Sequence, residues 1–203
     1  MQGKTHMPLG IALSAALFPA ESLPVLALGV GAAAIGGLLP DIDAGASGPH
    51  KKAALISGLC GGVLLSLFLL EWKLQLGLAV MLRVYSSAPR LVTGGVVFLL
   101  LCLYGMHTPH RGPMHSLAAL LGLTACVYVI LPPAAPAFAA AYLSHIGVDL
   151  LNRRGEQLLW PLQRRFALGL CRSDGAVNAL LCAASTLAAA LLIIFRAWHL
   201  ING

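Results

Sequence analysis

Apolar stretches of near membrane-spanning length recur along this chain from one end to the other, at about residues 7–20, 23–40, 53–70, 91–106, 116–131, 134–151 and 175–198. In water, a helix that is hydrophobic all round must be buried on every side, and a chain of 203 residues cannot bury so many. In a bilayer the same pattern is satisfied by helices, which keep their backbone hydrogen bonds internal. The composition agrees: 59% of residues are hydrophobic and 10% charged, against about a quarter charged in soluble domains. The expectation is an all-α, polytopic transmembrane helical bundle of about 6–8 spans, forming a single integral membrane domain over 1–203.

Turn chemistry separates the spans, with Pro19 to Pro24 breaking the first pair and Pro132-Pro133 the fifth from the sixth. Lys4 and the apolar run that follows it could pass for a signal peptide, but without a small-x-small cleavage site the expectation is a retained first helix. Small residues crowd the second span (Gly29, Gly31, Ala32, Ala33, Ala34, Gly36, Gly37), which suits close helix packing in lipid. Segment 71–90 is apolar only over 74–82, too short to cross; it reads as an interfacial excursion, with a short re-entrant helix as the alternative.

The net charge of +6 follows from basic loops. With seven spans, the segments 1–6, 41–52, 107–115 and 152–174 share one side. They hold nine basic residues (Lys4, Lys51, Lys52, Arg111, Arg153, Arg154, Arg164, Arg165 and Arg172), against four on the other (Lys73, Arg83, Arg90 and Arg196). The richer side is expected to be cytoplasmic. No basic run is interleaved with aromatics as a single-strand-binding groove requires, so nucleic acid is not an expected partner. The five cysteines (Cys60, Cys102, Cys126, Cys171, Cys182) show no CxxC spacing and read as small hydrophobes.

Six of the seven histidines fall at the same predicted face, together with Asp41, Asp43 and Asp149. Ionisable groups at membrane depth are costly and tend to be paired, metal-bound or turned to a wet cavity. Asp41 and Asp43, two apart after Pro40, can grip one cation or bridge two, or simply end a helix. His107, His110 and His115 lie within nine residues, where Pro109, Gly112 and Pro113 force a tight loop. Imidazole is the commonest nitrogen ligand for zinc, and Arg111 offers a fork of donors for a phosphate or carboxylate. His145 and Asp149, four apart, share a helix face one turn apart: two ligands of one metal, or a ligand and its orienting carboxylate. His6 precedes the first span on the same side; His50 sits in a Gly-rich segment, and His199 reads as interfacial on the other side. Around Trp160, basic residues mix with an amphipathic ring, which suits headgroup anchoring or an anionic lipid.

In this order, LLPDID, HRGPMHS and YLSHIGVDLLNRRGEQLLWP resemble the motifs of the YdjM-like family of bacterial inner (plasma) membrane proteins, over His6 to about Leu162. The resemblance implies a membrane-bound, metal-dependent hydrolase, and it maps onto His6, Asp41, Asp43, His110, Arg111, His115, Ser116, His145 and Asp149. The chain departs from the family pattern at Ala44-Gly45, which stand where the family usually has His-Pro, and at Met114 and Asn152-Arg153-Arg154. A more remote similarity to zinc-dependent phospholipases C suggests a phosphoester substrate.

The expected ligands are drawn from His6, Asp41, Asp43, His110, His115, His145 and Asp149, for a divalent metal with zinc favoured. Seven ligands exceed the four of one tetrahedral zinc, so more than one ion is expected to fit. Catalytic roles fall to Arg111, stabilising negative charge, and to Asp43 or Asp149 as general base, acting on a phosphoester or lipid head group. A metal or ion transporter is the alternative from another class, and would place these groups within the spans rather than at their ends. A membrane regulator with a structural metal would close the coordination sphere.

Overall fold

Lipid offers no partner to a free backbone N–H or C=O, and the described chain is accordingly almost entirely helical. The computed structural model describes the backbone of residues 3–44, 49–171 and 175–203, and the side chains of all of these but 49–57 and 59. The side chains of His50, Lys51 and Lys52, and Arg172 altogether, lie outside the described residues. The helices are α1 (Gly3–Leu17), α2 (Leu23–Leu38), α3 (Pro49–Leu74), α4 (Leu78–Tyr85), α5 (Ala88–Met106), α6 (Leu117–Ile130), α7 (Ala135–Leu150) and α8 (Ala176–Asn202). Short 3-10 turns at Leu39–Asp43 and Pro113–His115 lead out of α2 and into α6.

Helices stand at all seven expected positions, yet length separates them. Among the described residues three elements are long and apolar enough to cross a membrane, Leu23–Asp43, Ala88–Met106 and Ala176–Asn202, and a bent pair formed by Cys60–Leu74 of α3 and α4 makes up to four. The remaining helices α1, α6 and α7 have 15, 14 and 16 residues. At 1.5 Å per residue they reach only about 21–24 Å, short of a hydrocarbon core about 30 Å thick. Three or four elements meet both tests, and the expected 6–8 crossings are not confirmed.

Most of α7 is buried, with Phe138, Ala141, Tyr142 and His145 at 0–1% exposure, and it is wrapped by α1, α2 and α6. Close approach is written into α2. A Cβ on Gly36 would stand 2.5 Å from the carbonyl oxygen of Phe138, and one on Gly37 would stand 2.9 Å from that of His6. Only glycine lets the three backbones meet there, and those two contacts bring His6 and α7 to the end of α2.

Segment 71–90 holds the bend of a helix pair, which is a broken span or the re-entrant alternative. Helix α3 runs on to Leu74, and α4 folds back from it by 117°. The hinge uses left-handed backbone at Gln75 (φ 47°) and Gly77 (φ 87°). The Glu71 carboxylate accepts from the N–H groups of Gly77 and Leu78 at 2.9 and 3.0 Å, capping α4. Beyond α7, the chain forms an irregular loop in which Glu156 and Phe166 exchange backbone hydrogen bonds of 2.9 Å. Leu162, Leu168 and Leu170 project from this loop beside Arg164 and Arg165, an amphipathic edge suited to the interface.

Candidate metal centre

Four elements converge at one end of the bundle: the first turn of α1, the 39–43 turn, the 107–116 loop and the last two turns of α7. Each brings side chains that lipid alone would reject. His6, His115 and His145 are fully buried, and Asp43 and Asp149 are 2% and 1% exposed. The rings of His6 and His145 stack at 3.7 Å between centroids, and His115 meets His145 edge-on at 5.2 Å.

Hydrogen bonds fix which ring nitrogen carries the proton. His145 Nδ1 lies 2.8 Å from the carbonyl of Gly37, which only accepts, so Nδ1–H donates. His115 Nδ1 donates to Asp43 Oδ2 at 3.2 Å, and His110 Nδ1 to Asp43 Oδ1 at 2.8 Å. In the neutral rings the lone pair then sits on Nε2. Neither Nε2 of His115 nor that of His145 has a hydrogen-bond partner, although both are buried. They face Asp41 Oδ1 at 3.8 and 3.6 Å, and His115 Nε2 also stands 4.0 Å from Asp149 Oδ2. Burial holds the His115 imidazole below its ordinary pKa, favouring the neutral ring despite the adjacent Asp43.

Acceptor thus faces acceptor, an arrangement that repels unless a cation lies between. Ligands about 2.0–2.2 Å from a tetrahedral ion stand about 3.3–3.6 Å apart, so the separations are close to those of one coordination sphere. Three overlapping groups have ligand atoms within 4.8 Å of one another: His6, Asp41 and His145; Asp41, His110 and His115; and His115, His145 and Asp149. Because Asp41, His115 and His145 each belong to two groups, the residues form one cluster able to hold a metal ion.

Six of the seven expected ligands belong to these groups. Asp43 does not, because its carboxylate lies behind the cluster, accepting from His110, His115 and the Arg111 N–H (3.1 Å). That is the position of a carboxylate that orients histidines and raises their basicity. Arg111 also differs from the sequence expectation. Its guanidinium is 5% exposed, with Nη2 on Asp149 Oδ2 at 2.9 Å and Nη1 on the Arg154 carbonyl, so it braces Asp149 rather than opening to a ligand. Its left-handed backbone (φ 62°) aims its N–H at Asp43.

Ser116 serves the fold. Its hydroxyl accepts from Ala119 N at 3.2 Å and caps α6. His107 is exposed and bonds back to Leu103 O of its own helix, outside the cluster. His199 lies near the far end of α8, about 30 Å by helix rise from Asn178, which accepts a hydrogen bond from Thr5 beside His6.

Two neighbours escaped the sequence reading. Asn152 donates to Asp149 Oδ1 at 3.0 Å, alongside His6 Nε2 at 3.3 Å. Its signal is the spacing, three residues beyond Asp149 at a helix end. Glu156 is fully buried with no hydrogen-bond partner on either carboxylate oxygen, and burial pushes its pKa up to about 8 against the pull of Arg111. Nothing in its immediate sequence distinguishes it from a surface glutamate.

Membrane-crossing helices capped at one end by a buried His/Asp cluster define an integral membrane protein with a candidate metal site. The chain belongs to the YdjM family, since the family model described as YdjM inner membrane protein matches residues 1–202. The inner membrane protein YdjM of Escherichia coli (strain K12) is 41% identical over 66 residues, covering 29% of this chain and 34% of the relative. The protein of the same name from Shigella flexneri matches to the same extent, so each alignment spans about a third of the curated relative. No solved structure matches.

Proposed function

We propose that this protein is a membrane-bound, metal-dependent hydrolase of a phosphoester, with a lipid head group as the favoured substrate and zinc as the favoured ion. The observation that carries the metal is the pair of unpartnered Nε2 atoms of His115 and His145, turned to Asp41 Oδ1. When bound, such an ion supplies Lewis acidity that polarises a phosphoryl oxygen and acidifies water beside it. His6, Asp41, His115, His145 and Asp149 would hold it, with His110 a further candidate ligand. The three overlapping groups also leave room for a second ion.

A catalytic rather than structural site is favoured by its open side. The side chains of His110 and Asp41 are 39% and 22% exposed, whereas His6, His115 and His145 are sealed. A structural ion has no use for an accessible rim. His110, backed by Asp43 at 2.8 Å, is the group best placed to take a proton from attacking water. Arg111 and Asn152 hold Asp149 in place, and exposed Arg153 and Arg154 add positive charge for an anionic head group. The exposed basic residues flanking this face favour a cytoplasmic placement by the positive-inside rule.

The test is elemental analysis of detergent-purified protein, paired with a screen for phosphate or head-group release from phospholipids. Stoichiometric zinc, with hydrolysis lost in Asp41→Asn and His145→Ala, is the expected result. Metal-free protein whose variants behave as wild type rejects the proposal.

A further inference from the structure

Away from the cluster lies a cleft of about 650 Å³ walled by α2, α5 and the bent α3–α4 pair, with α6 and α7 at its floor. These walls include two of the elements long enough to cross the membrane and the bent pair that makes a further candidate. Helices in lipid normally close such gaps with small side chains, and interiors hold few voids larger than a water molecule. The volume lies instead within the range of ligand sites, about 300–1,000 Å³.

The lining says what fits. Leu28, Phe138 and Ala134 form a floor that is 8%, 1% and 5% exposed, while Leu64, Phe68 and Leu82 stand exposed at the lip. Among the described lining residues the only carboxylate, Glu71, has Oε2 engaged by the N–H groups of Gly77 and Leu78. A polar ligand would leave its own groups unpaired there, at a cost hydrocarbon does not incur. The lip belongs to spans that face lipid, so the compound that reaches it is a membrane lipid.

We propose that this cleft binds one acyl chain of a membrane phospholipid. Ile35 on α2 and Phe138 on α7 line it, six and seven residues before Asp41 and His145. Along each helix the cleft therefore begins about two turns from the metal cluster. The inference rests on the membrane placement of the helices and not on the hydrolase reading; with that reading, it narrows the substrate to a phosphoester carried on a lipid.

The full-length protein is reconstituted in phosphatidylethanolamine–phosphatidylglycerol vesicles doped with a phosphatidylcholine bearing a diazirine in one acyl chain. After irradiation, adducts are mapped by mass spectrometry. Adducts on Leu28, Ala134 or Phe138 are expected, because surrounding lipid cannot reach those buried residues. Adducts confined to outward residues such as Leu65, Leu99 and Leu121 would overturn the proposal. The double variant Leu64→Trp/Leu82→Trp, which crowds the lip, should bring floor labelling to background while outward labelling stays as in wild type. Undiminished floor labelling in that variant counts equally against an acyl chain entering from the lip. Neither metal nor turnover enters this readout, so its failure and that of the hydrolase reading are distinguishable.

Discussion

His145 and Asp41 face each other across 3.6 Å, Nε2 to Oδ1, although the histidine already gives its Nδ1–H to the Gly37 carbonyl. The pair therefore lacks a proton to share while the ring is neutral, and a cation is the natural partner of both. Behind them Asp43 plays a different part, accepting from His110 and His115. The two aspartates, two residues apart in the chain, should respond differently to loss of charge. Asp41→Asn is expected to abolish stoichiometric metal binding. Asp43→Asn should keep the site and weaken metal affinity about 10–100-fold, as for other carboxylates that orient ligand histidines. Competition with a graded series of chelators measures both; equal loss in the two variants would place Asp43 among the ligands.

Glu156 makes stability depend on pH in a defined direction. Its carboxyl is fully buried, and its pKa rises from 4.5 to about 8 in the folded protein. The folded state thus binds the proton more tightly than the unfolded state does. The resulting stabilisation is fully present below about pH 4.5 and is lost as pH rises through about 8. Glu156→Gln, which keeps the shape without the ionisation, should match wild type in apparent Tm at pH 5 and exceed it by several degrees at pH 9. Fluorescence-detected thermal unfolding in detergent across that range checks it. A constant difference between the two proteins would show that the ionisation is not involved.

How much of this was legible beforehand depended on whether the signal was local. The four-residue spacing of His145 and Asp149 places both on one face of α7, and both do meet in the cluster. The separation of Asp41 from Asp43 was hidden, because it depends on a 3-10 turn after Pro40 that sends one to the open side and the other beneath the 110–115 loop. Arg111 read as a substrate-facing donor because a guanidinium is a fork of donors; its positive φ and the partner carbonyl of Arg154 are tertiary facts. Glu156 is buried by backbone pairing with Phe166, ten residues on, which no periodicity announces. The hinge at 75–77 left one mark, Gly77, and the capping role of Glu71 six residues earlier was not visible as such. The number of crossings was not legible because α1, α6 and α7 are apolar yet shorter than the hydrocarbon core is thick.

Glycines on one face of α2 should be irreplaceable where those on α3 are not. At Gly36 an added Cβ meets backbone of α7 at 2.5 Å, and backbone cannot move aside as a side chain can. Gly36→Ala must push α2 away from α7 and with it the Gly37 carbonyl that orients His145. Overpacking of this kind costs about 1–3 kcal/mol, and metal affinity should fall with it. At Gly61 a Cβ meets nothing within 4 Å, so Gly61→Ala should be neutral or stabilise by up to about 1 kcal/mol through helix propensity. Apparent Tm and metal stoichiometry of the two variants, measured side by side, test the contrast; similar behaviour would contradict the packing of α2 on α7.

Charge gives an expectation for the side on which the cluster opens. Arg153 and Arg154 are exposed beyond the end of α7, and Lys4, Arg164 and Arg165 are exposed in the flanking segments. Such residues resist translocation, which favours the cytoplasm for their side. Arg153→Cys is suited to report this, since the position is exposed while the five native cysteines can be replaced by serine or alanine. A membrane-impermeant maleimide should label Arg153→Cys in inside-out vesicles and leave it unlabelled in intact spheroplasts. A cysteine at Tyr85, at the end of α4 and partnered with the opposite end of the bundle through its place beside Pro133 and Pro136, should give the converse pattern. Labelling of Arg153→Cys from outside would reverse the orientation, and a hydrolase site there would then draw on lipids of the outer leaflet rather than the inner one.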